Sequence, residues 1–483
     1  MPATAPNTAR GWRSPAGHPI IGVFLRVGRM EDYKKLILQR PCQSIFLIAL
    51  ALFMALQYKP AVLNYTTRFV DFADYMLQHG MTLFPIADDL QPYPDYTIAN
   101  TVLVYLASLP FGQLSVLSMG LPFCIAASLM LVFIYKLGAL HERKWGLCGV
   151  LFALFTWAFV DSVNSLALDI YPALITAGCF YLAYSADLKQ QRGRLALVFL
   201  GLILGFALRG PIGMIGPALV VGSYYLLSRQ WRTLVGFSLV SGLLFAAGVA
   251  LLAWAAHVQG GDAFMQQVLE MQGLGRIASD HSPRYYFYFS AGLITYSFTA
   301  FYALCVMARS GRQWLGAPSL SAPRLLLHLG AWFVVLIVFF TIPNSKKARY
   351  VLSITPAISL LAAYIFIDPN GLFSATRRRL LRLCLNLPAI GAFLALLVLG
   401  YNSFAARPLQ PDFAGVFSSF ALLSGVRYWI GRQYTGHRHY EVIVLAFGVA
   451  AFLLLDGFFF NAITYHLELA KEPTPKFLPY WFW

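Results

Sequence analysis

Charged residues in this sequence stand where charge is costly, and their types point to one kind of chemistry. In the stretch NYTTRFVDFADYML, Arg68, Asp71 and Asp74 recur every third residue, so on a helix they form a ladder of neighbouring side chains. Such a ladder is either the solvated face of a surface helix or part of a charged site. The stretch NSKKARY crowds three cations, Lys346, Lys347 and Arg349, at the start of an apolar run. Basic residues at a helix start oppose the helix dipole, so they answer either to lipid headgroups or to a specific anion. A phosphate is the anion that ammonium and guanidinium groups clamp best. Arg209 precedes Gly210 and Pro211 between two apolar runs, where an arginine near hydrocarbon needs a reason. Asp169 falls early in another such run, and is either paired with a cation or a buried carboxylate with a task of its own. Carboxylates together with a ring of cations are what transfer from a phosphate-linked lipid requires. The carboxylate activates an acceptor and the cations hold the leaving phosphate.

The elements that position these groups are set by composition. Of 483 residues, 59% are hydrophobic and only 12% charged. Soluble domains carry roughly twice that share of charge, which makes this an all-α polytopic membrane protein. The first forty residues are polar and basic, without the apolar core of a cleavable signal peptide. The six cysteines are scattered singly, with neither disulfide nor metal spacing, and no bound metal is expected. The net charge of +16 is spread over short loops, such as those around Arg143-Lys144, Lys189–Arg194 and Arg377–Arg382. Loops of that kind stay in the cytoplasm. A nucleic-acid footprint needs one basic face instead, so nucleic acid is excluded as a partner.

Apolar runs lie near 43–58, 114–138, 145–160, 166–186, 195–208, 211–227, 233–257, 285–307, 324–342, 350–367, 383–400, 412–430 and 440–460. A further run, 98–111, makes a helix of only about 21 Å, too short for a hydrocarbon core of roughly 30 Å. Counting it as a span would also invert the charge bias of every later loop, so it reads as an interfacial helix on the outer leaflet. The expected organisation is a cytoplasmic N-terminal segment, 1–42, and a transmembrane domain, 43–460, with about thirteen spans. Outer loops fall at about 59–113, 258–284 and 343–349, and residues 461–483 form a short outer-face tail.

Several stretches are similar, in order, to one family. YTTRFVDFADYML followed by GMTLFP, then PYPDYTIA, LPFCIAASLMLVFIYKLG, LALDIYPAL, RGPIGMIGPALV and KKARYVLSITPAISLLAAY match its segments across roughly 40–370. The sequence resembles the GT-C superfamily of polyprenyl-phosphate-sugar-dependent glycosyltransferases, in particular the bacterial aminoarabinose transferase and protein O-mannosyltransferase group. The resemblance implies a GT-C type fold in a bacterial inner membrane, multi-pass, with the N-terminus cytoplasmic. It also implies a lipid-linked sugar donor as co-substrate, no other cofactor, and an outer-face acceptor such as lipid A, a cell-envelope glycan or a protein.

Carried over by position, the resemblance makes Arg68 a phosphate contact, and Asp169, Arg276, Lys346, Arg349 and Tyr350 keep their counterparts. Arg209 and Lys347 complete the expected phosphate-binding set. The catalytic aspartate of the family falls on Tyr65, the acidic residue beside it on Thr66, the glutamate of the next motif on Asp95, and the following lysine on Tyr96. Glu270, Met271 and Gln272 stand where the family has a histidine, and His281 follows further on. Tyrosine has a pKa near 10 and makes a poor base at neutral pH. Asp71 lies about 240° around the helix from Tyr65 and cannot take its place. The candidates for catalysis are therefore Asp95, Asp169 and Tyr65, with Asp95 favoured as the base. Two readings remain, a transferase that has moved its base, or a catalytically inactive relative that binds a polyprenyl lipid as a partner or lipid-handling protein. An ion-coupled transporter would want more mid-span charge than Asp456 and His328 supply.

Overall fold

In hydrocarbon every backbone amide must find its partner within the protein, and a helix does this inside one segment. The computed structural model follows that rule. It describes residues 40–57, 61–62, 66–87, 90–191, 193–274, 285–344, 346–405, 408–471 and 476–479. The chain divides into a short unit, Met1–Ser44, and a large one, Ile45–Trp483, and the large one holds the helical core.

Helices occupy the apolar runs in order. They are Pro41–Leu56, Val116–Ala139, Arg143–Leu154 with Trp157–Asn164, Ile170–Leu188, Arg194–Arg209, Pro211–Leu227, Trp231–Leu269, Ser297–Leu315, Ala322–Thr341, Ala348–Phe366, Ser374–Asn402, Phe413–Gln433 and Tyr440–Leu469. The all-α polytopic membrane fold expected from composition is the fold observed. Among the described residues, seven helices are long and apolar enough to cross a membrane, or eight if one pair bent by 62° is a single span. Three shorter apolar helices, Pro41–Leu56, Ala99–Phe111 and Pro211–Leu227, accompany them. The bent pair is Arg143–Leu154 and Trp157–Asn164, and Thr156 between them has an extended backbone. The freed amide of Ala158 bonds to the Thr295 carbonyl at 2.9 Å, which is how a break at membrane depth is made tolerable.

Ala348–Phe366 is the innermost helical run. It packs against Arg143–Leu154, Ser297–Leu315 and Ala322–Thr341. Its carbonyls at Leu360 and Ser353 receive the indole N–H groups of the buried Trp145 and Trp332, at 2.8 and 2.9 Å. Large rings can be buried there because their one polar atom is satisfied.

The segment 59–113 is less a loop than a small assembly. Thr67–His79 buries Phe69, Val70, Phe72, Ala73 and Met76 along one stripe and rests on the helix Ala99–Ser108. That second helix continues as a 3-10 turn, Leu109–Phe111, and matches the short apolar helix expected at 98–111. Ala61–Val62 pairs antiparallel with Lys476–Phe477 from the C-terminal stretch. Trp231–Leu269 runs well past its apolar portion, bending at Gly261 (φ 73°), so part of 258–284 is helix. Phe84 from the first assembly packs into its far end with Leu252, Ala256, Phe264 and Val268. The last helix likewise continues through a π-turn, Asp456–Asn461, to Leu469.

Candidate functional site

The site forms where three helix junctions meet. Asp169 stands at the N-cap of Ile170–Leu188, the position where an aspartate normally accepts a hydrogen bond from its own helix. Its side chain makes no cap bond. It faces two guanidinium groups instead, with Arg349 Nε 3.4 Å from Oδ2 and Arg209 Nε 3.8 Å from Oδ1. The Asp169 and Arg209 side chains are each only 7% exposed. At that burial a charge persists only when compensated, so each group depends on the other.

Arg209 is the last residue of Arg194–Arg209, and the sequence after it explains how an arginine is held there. Gly210 adopts φ 66°, ψ −153°, a region open to glycine, and Pro211 starts the next helix at its N1 position. The two helices then run back to back, so close that a Cβ on Gly205 or Gly213 would fall inside the backbone of the other. A Cβ on Gly210 would strike Gln272 Oε1. Gly210→Ala is therefore expected to destabilise the protein by about 1–3 kcal/mol, through strain at positive φ together with the clash. Thermal unfolding of the purified protein reads this, and adding Gln272→Ser should recover the clash but not the strain. An unchanged melting temperature for Gly210→Ala would contradict this geometry.

The second wall comes from the segment before Ala99–Ser108. Tyr93 N–H donates to the Pro85 carbonyl at 2.8 Å, and Gln272 Nε2 donates to the Pro94 carbonyl at 3.0 Å. Pinned from both sides, this segment sets Asp95 between Tyr93 and Tyr96. Asp95 is within electrostatic reach of Tyr93, Tyr96, Arg209 and Lys347. Tyr96 is buried, its ring stacks on Tyr93, and the Arg209 guanidinium lies 5.4 Å from its ring centroid. Burial first, then the Asp95 carboxylate, push the Tyr96 phenol up to about 12, so it stays protonated at neutral pH and supplies no base.

The charged ladder of Thr67–His79 divides among three surroundings. Arg68 donates to the Tyr93 hydroxyl and lies against its ring, Asp71 pairs with Lys476, and the exposed Asp74 accepts from Gln78 Nε2 at 2.7 Å. Both readings of the ladder are thus partly realised, with Arg68 in the site and Asp74 in solvent.

The third wall is the extended stretch ahead of Ala348–Ile354. Tyr288 and Tyr296 donate to the carbonyls of Lys347 and Ala348, at 3.3 and 3.0 Å. Lys347 then lies within electrostatic reach of Arg349, Asp169, Asp95 and Arg68. Burial, followed by the Arg349 guanidinium, holds its ammonium below the ordinary lysine range, a cost that a bound anion would relieve. Tyr350 is near Arg209 and Tyr288.

Of the residues expected to do chemistry, Arg68, Asp95, Asp169, Arg209, Lys347, Arg349 and Tyr350 come together. Lys346 does not join them, because Nζ donates to the Pro343 carbonyl at 2.6 Å and lies over the Tyr285 ring. Backbone alternation separates it from Lys347, which has extended dihedrals and so points its side chain the other way. Tyr65, Arg276 and His281 lie outside the described residues. Tyr93, Tyr288 and Tyr296 were not singled out in the sequence. Tyr93 and Tyr288 are signalled there by aromatic density in PYPDY and RYYFYFS, which also fits a membrane interface, and Tyr296 follows in the apolar stretch GLITYSF. In all, four cations face two carboxylates among these described residues, a surplus of positive charge suited to an anionic group.

No protein-family model matches the chain. It is 23% identical, over 390 residues, to the undecaprenyl phosphate-alpha-4-amino-4-deoxy-L-arabinose arabinosyl transferase of Pseudomonas aeruginosa (strain UCBPP-PA14), covering 77% of this chain and 68% of that protein. The similarly named transferase 1 of Sodalis glossinidius (strain morsitans) is 27% identical over 233 residues, 44% of this chain and 37% of its own. Among solved structures, ArnT from Cupriavidus metallidurans bound to undecaprenyl phosphate aligns with a TM-score of 0.64 at 15% identity. That alignment covers 86% of this chain and 77% of the other. At such identity it is the fold that is shared.

Proposed function

We propose that this chain, which has the ArnT-like GT-C fold, is a glycosyltransferase that moves a sugar from a polyprenyl-phosphate-linked donor to an acceptor on the outer face of the membrane. The observation that carries this is the convergence of Asp95 with Arg68, Arg209, Lys347 and Arg349 at one end of the helices. On the charge bias of the loops that end faces outward, with the N-terminus in the cytoplasm of a bacterial inner membrane.

Asp95 accepts the proton of the acceptor hydroxyl or amine as that group attacks the anomeric carbon of the donor sugar. The bond between that carbon and the phosphate oxygen breaks, and its electron pair stays on the oxygen. Polyprenyl phosphate thereby leaves with one more negative charge than the phosphodiester donor carried. The surplus of cations is complementary to that developing charge, so it stabilises the transition state more than the ground state. Asp169 has a different role. Occupied by Arg209 and Arg349, it orients the phosphate-binding guanidinium groups rather than taking a proton. The acceptor is a lipid A, cell-envelope glycan or protein group that reaches this pocket from outside.

Mass spectrometry of lipids extracted from the purified protein tests the donor. A bound polyprenyl phosphate, with or without sugar, is the expected result, and an absence of any such lipid would count against the reading. Bound lipid with no transfer to any membrane acceptor would instead favour a lipid-binding protein without catalysis.

A further inference from the structure

The resemblance places a phosphate-holding lysine where this chain has Tyr96, and the structure indicates how that loss is made good. From Arg68 to Arg209 runs a chain of stacked groups. The Arg68 guanidinium lies 5.3 Å from the Tyr93 ring centroid. Tyr93 and Tyr96 stack at 5.5 Å and 20° between planes, and Arg209 lies 5.4 Å from the Tyr96 centroid. Phe69 meets the Tyr96 ring at 5.3 Å and 63°, and Phe72 meets Tyr93 at 5.3 Å and 46°. The two tyrosines are therefore fixed by rings from Thr67–His79, the helix that also carries Arg68.

We propose that Tyr93 and Tyr96 are positioning residues that hold the Arg68 and Arg209 guanidinium groups at a set spacing, as the two sides of a clamp for the donor phosphate. Tyr96 substitutes for a direct cation by orienting an indirect one. Two features of Arg209 point to a ligand. Its Nε is buried yet has no hydrogen-bond partner among the described residues, and the facing oxygen of Asp169 stands 3.8 Å away, beyond hydrogen-bond range. A buried donor left unmade costs free energy, and a phosphate oxygen reaching it would recover that cost. A guanidinium over an aromatic face is held in orientation by the ring quadrupole while its N–H edge stays available. Lysine at position 96 would supply charge without this orientation, so a tyrosine here with an arginine at 209 is a different solution to the same electrostatic demand.

The proposal rests on the donor reading above, and the test keeps the two apart. Full-length protein in detergent micelles is titrated with undecaprenyl phosphate and binding is followed by native mass spectrometry, with tryptophan fluorescence on heating to verify folding. Tyr96→Leu is expected to weaken binding about threefold to thirtyfold, and Tyr96→Phe, which keeps the ring face, to recover most of that loss. In an Arg209→Gln background the Tyr96→Leu change should add little further, because a residue acting through Arg209 has nothing left to orient. If Arg209→Gln does not fold, the same cycle is run with Tyr93→Leu and Arg68→Gln. Full additivity in the cycle, or equal loss in the Phe and Leu variants, would overturn the stacking role while leaving the donor reading intact. Failure of the unaltered chain to bind undecaprenyl phosphate would overturn both.

Discussion

Asp95→Asn is expected to slow sugar transfer about 10²- to 10⁴-fold, the usual cost of losing a general base. The substitution keeps size and much of the hydrogen bonding but removes the oxygen charge that accepts the acceptor's proton. This carboxylate is chosen by its place, in the segment between Tyr93 and Tyr96 and within electrostatic reach of Arg209 and Lys347, and the neighbouring groups have other tasks. Asp169 is committed to Arg209 and Arg349. Asp71 is committed to Lys476. Tyr96, the nearest hydroxyl in sequence, is pushed up to about 12 and remains protonated. Donor binding in Asp95→Asn should stay within a few-fold of the unaltered protein, since its task is proton transfer. The decisive comparison sets single-turnover transfer beside lipid affinity. Unchanged transfer in Asp95→Asn, together with a large gain in Tyr65→Asp, would mean that the natural chain has no working base and serves as a lipid binder.

The second large effect concerns the cations of NSKKARY. Each charge-assisted contact to a desolvated phosphate is worth roughly 1.5–3 kcal/mol, so Lys347→Ala and Arg349→Ala should each weaken undecaprenyl phosphate binding by about tenfold or more. Lys346→Ala should change it little, because that ammonium is held by the Pro343 carbonyl and the Tyr285 ring. The Lys347 effect carries a pH signature. Its ammonium form binds the anion, and burial with the neighbouring Arg349 lowers its pKa. Affinity should therefore fall, as pH rises, before an ordinary lysine near 10.4 would lose its proton. That alkaline limb should vanish in Lys347→Ala. Equal losses from Lys346→Ala and Lys347→Ala would mean that both cations merely meet lipid headgroups.

The pair Lys346 and Lys347 shows where reading the chain in one dimension stops. Both were expected in the site as part of one cationic run. Neighbours in an extended backbone point apart, and which of the two faces inward depends on what holds the strand, here the hydroxyls of Tyr288 and Tyr296. The ladder of Arg68, Asp71 and Asp74 makes the same point on a helix. A spacing of three residues falls about 60° short of a full turn at each step, so a ladder that starts in a pocket drifts out of it. Arg68 meets Tyr93, Asp71 meets Lys476 and Asp74 meets solvent.

Composition and apolar runs by themselves determined the membrane class, the all-α fold and the approximate place of nearly every helix, because hydrocarbon leaves a backbone no alternative. They also marked Arg209, Asp169 and Arg349 as charges in need of a reason, since burial of a lone charge is costly wherever it occurs. What they could not set was pairing. That Asp169 leaves its own helix uncapped to join Arg209 and Arg349, and that a tyrosine at 96 supports an arginine more than a hundred residues away, depends on helix ends meeting in space. Ion pairs and ring stacks act over a few ångströms, and only the tertiary structure decides which distant residues come that close.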